Sequence, residues 1–362
     1  MSSKKWLVTF LISVLLVFGL LAGFNIAVDP FGVFGDRLIN WYSYDETMNP
    51  RIAKINYLDK HHDKYDSYVI GCSSTSSFPV DELNEYLGAS FYNLIMYGAD
   101  MLDVEQTADY IIRNYTVKNL VLNVYIDNGV HYDEGEDTLT NNMNVKVSGG
   151  SRLRYYSKYL FLNPSYAIAK LKALKTDTYL TQPFDVFNVE TGAYDKRLRD
   201  IEPIGSLEEY YVNYPVFTSY PAAKLYMGKI KECMESVAKI RDLCAAKGIN
   251  LIVVSAPVYA DYIRNFDRAQ VIEFYTSLAE LVPYWDFTLS SVSREPRYFY
   301  DATHFRNAVG TMALGRIFGN EDIYIPGDFG VYSAETDIRA YFEERLDAAG
   351  QDVSAYTTEL PI

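Results

Sequence analysis

Cysteine and histidine are scarce in this chain. Its 362 residues hold three Cys and four His, with none of the Cys/His spacings that hold zinc. Cys233 and Cys244 fall on one expected helix, eleven residues apart in sequence. That is about 16 Å at ~1.5 Å per residue, well beyond the ~7 Å a disulfide spans. The third thiol, Cys72, sits in a turn discussed below, and no disulfide framework is expected. His61 and His62 adjoin each other with no third ligand in view, and read as a solvated helix terminus. No metal or cofactor is expected. Basic residues are also in deficit, 33 Lys+Arg against 47 Asp+Glu, a formal net charge of −14. Such a balance excludes binding of nucleic acid through the overall field of the protein. No internal repeat is visible. Global disorder is excluded too, because 49% of residues are hydrophobic and 22% charged, enough for a substantial core.

One long hydrophobic run stands out. Trp6 to Val28 is 23 residues without a charge, and a bilayer core needs about 20. Lys4 and Lys5 precede it and Asp29 follows, which predicts a cytoplasmic N-terminus and an extracytoplasmic remainder. The competing reading is a cleaved signal peptide. The run exceeds the 7–15 residues or so of a signal-peptide core, and the small-residue cleavage pattern is poor, so an uncleaved anchor over 6–28 is expected. Asp29-Pro-Phe-Gly-Val-Phe-Gly35 then breaks the helix. The expected organisation is an anchor over 1–28, an approach segment over 29–64, a main domain over 65–327 with an insertion at about 131–220, and an extension over 328–362.

The main domain alternates strand and helix. A short apolar run over Tyr68–Ile70 ends at Gly71. A helix follows over Asp81–Leu87, then a strand over Phe91–Met96 ending in Tyr97-Gly98-Ala99. The next helix carries Val104, Ala108, Ile111 and Ile112 on one face, with Asp103 placed to cap it. A third strand over Leu120–Ile126 closes on Asp127-Asn128-Gly129. After the insertion, a helix from Pro221 presents Leu225, Ile230, Cys233, Val237, Ile240 and Cys244 before stopping at Gly248. Ile249–Ser255 is nearly all apolar, as in a central parallel strand. A helix over Asp267–Leu281, a short edge strand over Trp285–Thr288 and helices over Asn307–Phe318 and Thr336–Leu346 complete the pattern. The fold class is α/β, a three-layer parallel sheet with flanking helices.

Residues 131–220 break the rhythm. They open on acidic Asp133–Asp137 and hold eleven of the 33 Tyr. Between Gly150 and Thr176 lie six Lys or Arg (152, 154, 158, 170, 172, 175) and no acidic residue, interleaved with Leu160, Phe161, Leu162, Ile168 and Leu171. Two readings are open: a solvated basic helix face, or a surface that meets anionic headgroups or an anionic substrate. The tyrosines can stack on sugar rings or pack together. The stretch reads as an insertion that shapes access to the substrate.

Chemistry concentrates at two points. Gly71-Cys-Ser73-Ser-Thr-Ser-Ser77 follows the first strand, and Tyr300-Asp301-Ala-Thr-His304-Phe-Arg306 precedes a late helix. A serine on a strand-to-helix turn needs a base to take its proton, and neutral His is suited to that near pH 7. His304 carries a candidate orienting carboxylate, Asp301, three residues earlier, in a segment that leads into a late helix. The oxyanion needs fixed donors. The Ser73 N–H, at the head of a helix, is one; Gly98, where the absent side chain lets substrate approach the backbone, is a second. Both segments fall at strand C-terminal ends, where open α/β sheets bind ligands.

These blocks resemble those of the SGNH (GDSL-type) hydrolase family. Gly71-Cys72-Ser73 stands for the Gly-Asp-Ser block, Asn93 and Gly98 for the second block, and Asp301-x-x-His304 for the last. The resemblance implies that Ser73 is the nucleophile, that Asp301 and His304 complete a triad, and that Gly98 donates to the oxyanion. The third block departs from the family's Gly-x-Asn-Asp: Val124-Tyr-Ile-Asp127-Asn128 stands there, leaving Asn123 or Asn128 as the alternatives for a third donor. The likeness covers roughly 65–130 and 222–320. With the anchor and the Asp-Pro-Phe-Gly exit, the chain is similar to envelope proteins such as the D-alanyl–teichoic-acid transfer protein and the alginate O-acetylation proteins. That similarity implies a membrane-bound O-acyltransferase as partner and transfer of an acyl group through Ser73 to an acylated cell-envelope polymer. It leaves open transferase against esterase, and also a non-catalytic scaffold or polymer-binding subunit that kept the fold.

Overall fold

The structure, a computed structural model, describes residues 3–35, 49–132, 138–176, 186–188, 190–195, 203–218 and 225–348. In chain order, α1 (Ser3–Val28) and α2 (Pro50–His61) precede β1 (Ser67–Gly71), α3 (Val80–Leu87), β2 (Phe91–Ile95), α4 (Met101–Asn114) and β3 (Asn119–Asn123). Then come α5 (Arg152–Leu160), α6 (Pro164–Thr176) and α7 (Leu207–Asn213). The remainder is α8 (Ile230–Lys247), β4 (Asn250–Ser255), α9 (Arg268–Leu281), β5 (Tyr284–Asp286), α10 (Asn307–Phe318), β6 (Val331–Tyr332) and α11 (Ile338–Ala348). The described residues form two compact units, one within 1–61 and 136–183, the other within 62–135 and 184–362.

The second unit is built on a six-stranded sheet in the order β2-β1-β3-β4-β5-β6. The first five strands run parallel and β6 pairs antiparallel with β5. The strands are apolar on both faces because helices cover both. Val69, Val121 and Val254 point to one side, where they meet Leu83 of α3, and Val309, Ala313 and Leu314 of α10. Alternate residues face the other way, where α4 packs on β1, α8 on α4, and α9 on both α8 and α11. From β1 the chain moves outward to β2, then crosses back over β1 to reach β3. The crevice at the C-terminal ends of β1 and β3 is therefore a topological switch point.

The first unit is helical. Helix α1 is long and apolar enough to cross a membrane. At its end Asp29 adopts a left-handed backbone, φ 46°, and its carboxylate accepts the N–H groups of Val33 and Phe34, both at 2.8 Å. Phe31, Val33, Ile52, Val145, Tyr155, Tyr159 and Leu162 form its core. The tyrosines of α5 are thus packing residues, as is Tyr210 of α7 in the sheet unit.

Several boundaries differ from expectation. The sheet is mixed, not wholly parallel, and the 284–286 strand is not its edge: the tail contributes β6 outside it. A two-residue strand is too short for an alternating pattern to reveal. The third strand stops at Asn123, and Ile126–Gly129 forms a 3₁₀ turn. Helix α4 is capped by Asp100, which accepts the Asp103 N–H at 3.0 Å, so Asp103 lies in the first turn. Helix α8 begins at Ile230, and Leu225 instead bridges to Phe266. The expected start at Pro221 and the acidic run 133–137 lie outside the described residues.

Candidate active site

Strand β1 delivers the chain into a five-residue 3₁₀ turn, Ser73–Ser77, and not into an α-helix as expected. Gly71 is required there. A Cβ on it would lie 2.6 Å from Thr75 Oγ1 and 2.9 Å from Asn123 Cβ, closer than side-chain packing allows. The turn is fastened on every side. Thr75 Oγ1 donates to the Cys72 carbonyl (2.5 Å), Asn93 Nδ2 to the Thr75 carbonyl (3.2 Å), and Asn123 Nδ2 to Ser74 Oγ (2.8 Å). Asn93 and Asn123 reach it together because strand register aligns both with Val69 and Gly71 on one face of the sheet. Ser77 Oγ donates to the Phe305 carbonyl at 2.7 Å, tying the turn to the loop that holds His304.

That loop closes on itself through an antiparallel bridge between Phe299 and Phe305, and Tyr300 N–H donates to the His304 carbonyl at 2.8 Å. Arg306 braces it. Its Nε donates to the Arg297 carbonyl (2.8 Å), a second nitrogen donates to Tyr210 Oη (3.2 Å), and the guanidinium lies 4.7 Å from the Tyr300 ring centroid. Tyr210 Oη in turn donates to the Phe299 carbonyl.

The two segments meet. His304 Nε2 lies 2.7 Å from Ser73 Oγ, and His304 Nδ1 lies 2.7 Å from Asp301 Oδ2. Asp301 Oδ1 accepts the backbone N–H groups of Thr303 (2.8 Å) and His304 (3.0 Å), and the Thr303 hydroxyl (3.0 Å). Burial acts to raise the Asp301 pKa, but the His304 ring and these donors outweigh it and hold the carboxyl well below the usual carboxylate range. Asp301 is therefore an anion at neutral pH. It favours the tautomer with the proton on Nδ1, which leaves Nε2 as an acceptor for the Ser73 proton. Cys72 is disfavoured as a thiolate. Burial pushes its thiol pKa up, and its sulfur turns to Ser74 Oγ at 3.1 Å.

A pocket of about 160 Å³ opens beside Ser73 and is lined by Gly98, Asp127, Asn128 and Thr303 among others. Gly98 lies in the left-handed region, φ 57°. Among the described residues, the backbone N–H groups of Ser73 and Gly98 have no hydrogen-bond partner. The structure also separates the two asparagines that sequence left as alternatives. Asn123 is fully engaged, its Oδ1 accepting the Ala256 N–H at 3.1 Å while its Nδ2 holds Ser74. Asn128 lines the pocket; its Oδ1 accepts the Tyr125 N–H at 2.8 Å, which leaves Nδ2 to donate.

Sequence reasoning missed Asp127 and Tyr262. Tyr262 Oη donates to both Asp127 oxygens at 2.8 Å. Burial raises the Asp127 pKa to about 6, with Tyr262, His131 and His304 opposing the shift. The Asp127-Asn128-Gly129 turn was visible as a strand ending. Nothing local to Tyr262 marks it, since it arrives from a one-turn helix, Ala260–Ile263, 135 residues away.

No protein-family model and no curated protein matches this chain.

Proposed function

We propose that this protein is a serine acyltransferase or esterase. It is held in a membrane by α1 with its N-terminus cytoplasmic, and acts outside the cytoplasm on acyl esters of cell-envelope polysaccharide or teichoic acid. The observation that carries the chemistry is the continuous Ser73–His304–Asp301 hydrogen-bond relay, 2.7 Å at each step. His304 Nε2 takes the Ser73 proton as Oγ attacks the ester carbonyl. The imidazolium is stabilised by Asp301 and returns the proton to the departing alcohol, leaving an acyl group on Ser73. Water or a sugar hydroxyl, deprotonated by the same His304, then releases it as an acid or a new ester. The N–H groups of Ser73 and Gly98, with Asn128 Nδ2, are suited to the oxyanion because all three residues border the pocket.

The SGNH-type blocks at Gly71–Ser73, Asn93/Gly98 and Asp301/His304 support the family reading. Similarity to the D-alanyl–teichoic-acid transfer and alginate O-acetylation proteins supports an envelope polymer as acceptor and a membrane-bound O-acyltransferase as donor partner. The altered block after β3 favours a second reading, a non-catalytic scaffold. Turnover separates the two. Mixing the full chain in detergent with p-nitrophenyl acetate is expected to give a stoichiometric burst of p-nitrophenolate and an acetyl group on the Ser73 peptide by mass spectrometry. Ser73→Ala is expected to abolish both. A folded wild-type chain with neither burst nor adduct supports the scaffold.

A further inference from the structure

Helices α5 and α6 form a hairpin whose turn lies beside the apolar helix α1. Phe161, in the turn, meets Phe18 edge to face with ring centroids 5.4 Å apart. Asn25 interrupts the apolar run of α1, is fully buried, and donates through Nδ2 to the carbonyls of Leu160 and Leu162, both at 3.0 Å. Lys170, also fully buried, donates to the Asp29 carbonyl at 2.9 Å. Counted back from Val28 at ~1.5 Å per residue, Asn25 and Phe18 lie about 5 and 15 Å below the end of α1. The turn between α5 and α6 is therefore level with that stretch of the helix.

We propose that this hairpin is a membrane wedge. Its turn and the first two turns of α6, through Leu171, sit in the leaflet that holds the C-terminal half of α1, and its basic residues meet anionic lipid headgroups. The inference rests on the reading of α1 as a membrane span and goes beyond a single-pass anchor. Three observations select a bilayer as the occupant of this surface. Phe161, Ile168 and Leu171 are exposed, at 47%, 44% and 38%, and belong to elements packed on α1, whose own Leu16 and Leu20 are exposed at 61% and 74%. The apolar surface thus continues from span to hairpin. The turn carbonyls are satisfied by Asn25, as backbone needs where water is scarce. Apart from buried Lys170, the charged residues between Gly150 and Thr176 are Arg152, Arg154, Lys158, Lys172 and Lys175, all cationic. Lys170 meets Asp29 at the end of α1, so Lys172 and Lys175, further along α6, fall at or beyond that level, where the anionic headgroups lie.

The test is site-directed spin labelling of the full chain in vesicles of equal parts phosphatidylcholine and phosphatidylglycerol. The native Cys72, Cys233 and Cys244 are buried, so labelling of introduced thiols is selective. Phe161→Cys and Ile168→Cys probe the hairpin, Leu16→Cys the span, and Lys231→Cys, whose parent side chain is 85% exposed, the aqueous phase. The expected result is that labels at 161 and 168 collide with oxygen but lose collisions with a water-soluble nickel chelate, as at 16 and unlike at 231. Labels at 161 and 168 that read like 231, while 16 reads as lipid, overturn the wedge and leave the span standing. A water-like reading at 16 overturns both.

Discussion

His304 is gripped through both ring nitrogens, and each contact governs a different quantity. In the proposed mechanism Asp301 sets the tautomer and supports the developing positive charge, so Asp301→Asn is expected to keep the fold and lower kcat by roughly 10⁴-fold. At the oxyanion, Asn128→Ala is expected to lower kcat by about 10²–10³-fold with KM little changed. Asn123→Ala removes one bond to Ser74 Oγ and the acceptor of the Ala256 N–H, and is expected to lower Tm with a smaller loss of kcat. A kcat loss at Asn123→Ala equal to that at Asn128→Ala would contradict this assignment. Asp127 gives a pH signature. Its folded pKa of about 6 lies above the ordinary ~3.9 of an unfolded Asp. The native state therefore binds this proton more tightly. Stability from this site is complete below pH ~4 and is lost as pH rises through about 6, by at most about 3 kcal/mol. Asp127→Asn is expected to melt above the parent at pH 7.5, with the gap closing by pH 4. A gap independent of pH would contradict it.

The Ser73–Ser77 turn works as a unit with its neighbours. Helix α10 reaches it through Gly310, where a Cβ would fall 1.8 Å from the Ser77 carbonyl oxygen. Gly310→Ala is expected to cost about 1–3 kcal/mol through overpacking, read as a drop in Tm, and to weaken turnover by shifting Ser73 from His304. Unchanged Tm would show that α10 does not set the turn. The sequence made β1 to β4 legible, because each is a short apolar run bounded by Gly, Asn or Ser. It did not reveal that Ser73–Ser77 is 3₁₀. Hydroxyl side chains form local hydrogen bonds that compete with helix geometry, and here Thr75 bonds back to Cys72. Nor did it show Asp100 as the α4 cap in place of Asp103, since both carboxylates precede the same apolar stripe.

Across the whole molecule, the α/β rhythm and the two chemical segments were readable because helices and strands carry different hydrophobic periods. What escaped reading depends on distant partners. Examples are the antiparallel β6 from the tail, the grip of Arg306 on Tyr210 and Tyr300, and the packing of 138–176 with α1 in one compact unit. The apolar α1 leads to the expectation that the full chain stays with membranes after alkaline carbonate extraction; release into the supernatant would argue against a span. The central claim is that Ser73 is an activated nucleophile. The most direct measurement is labelling of the full detergent-solubilised chain with a fluorescent fluorophosphonate, beside Ser73→Ala and His304→Ala. The account predicts labelling of the wild type, retained folding in both variants, and loss of label in each. A folded wild-type chain that takes no label, or a Ser73→Ala chain that still does, would contradict it.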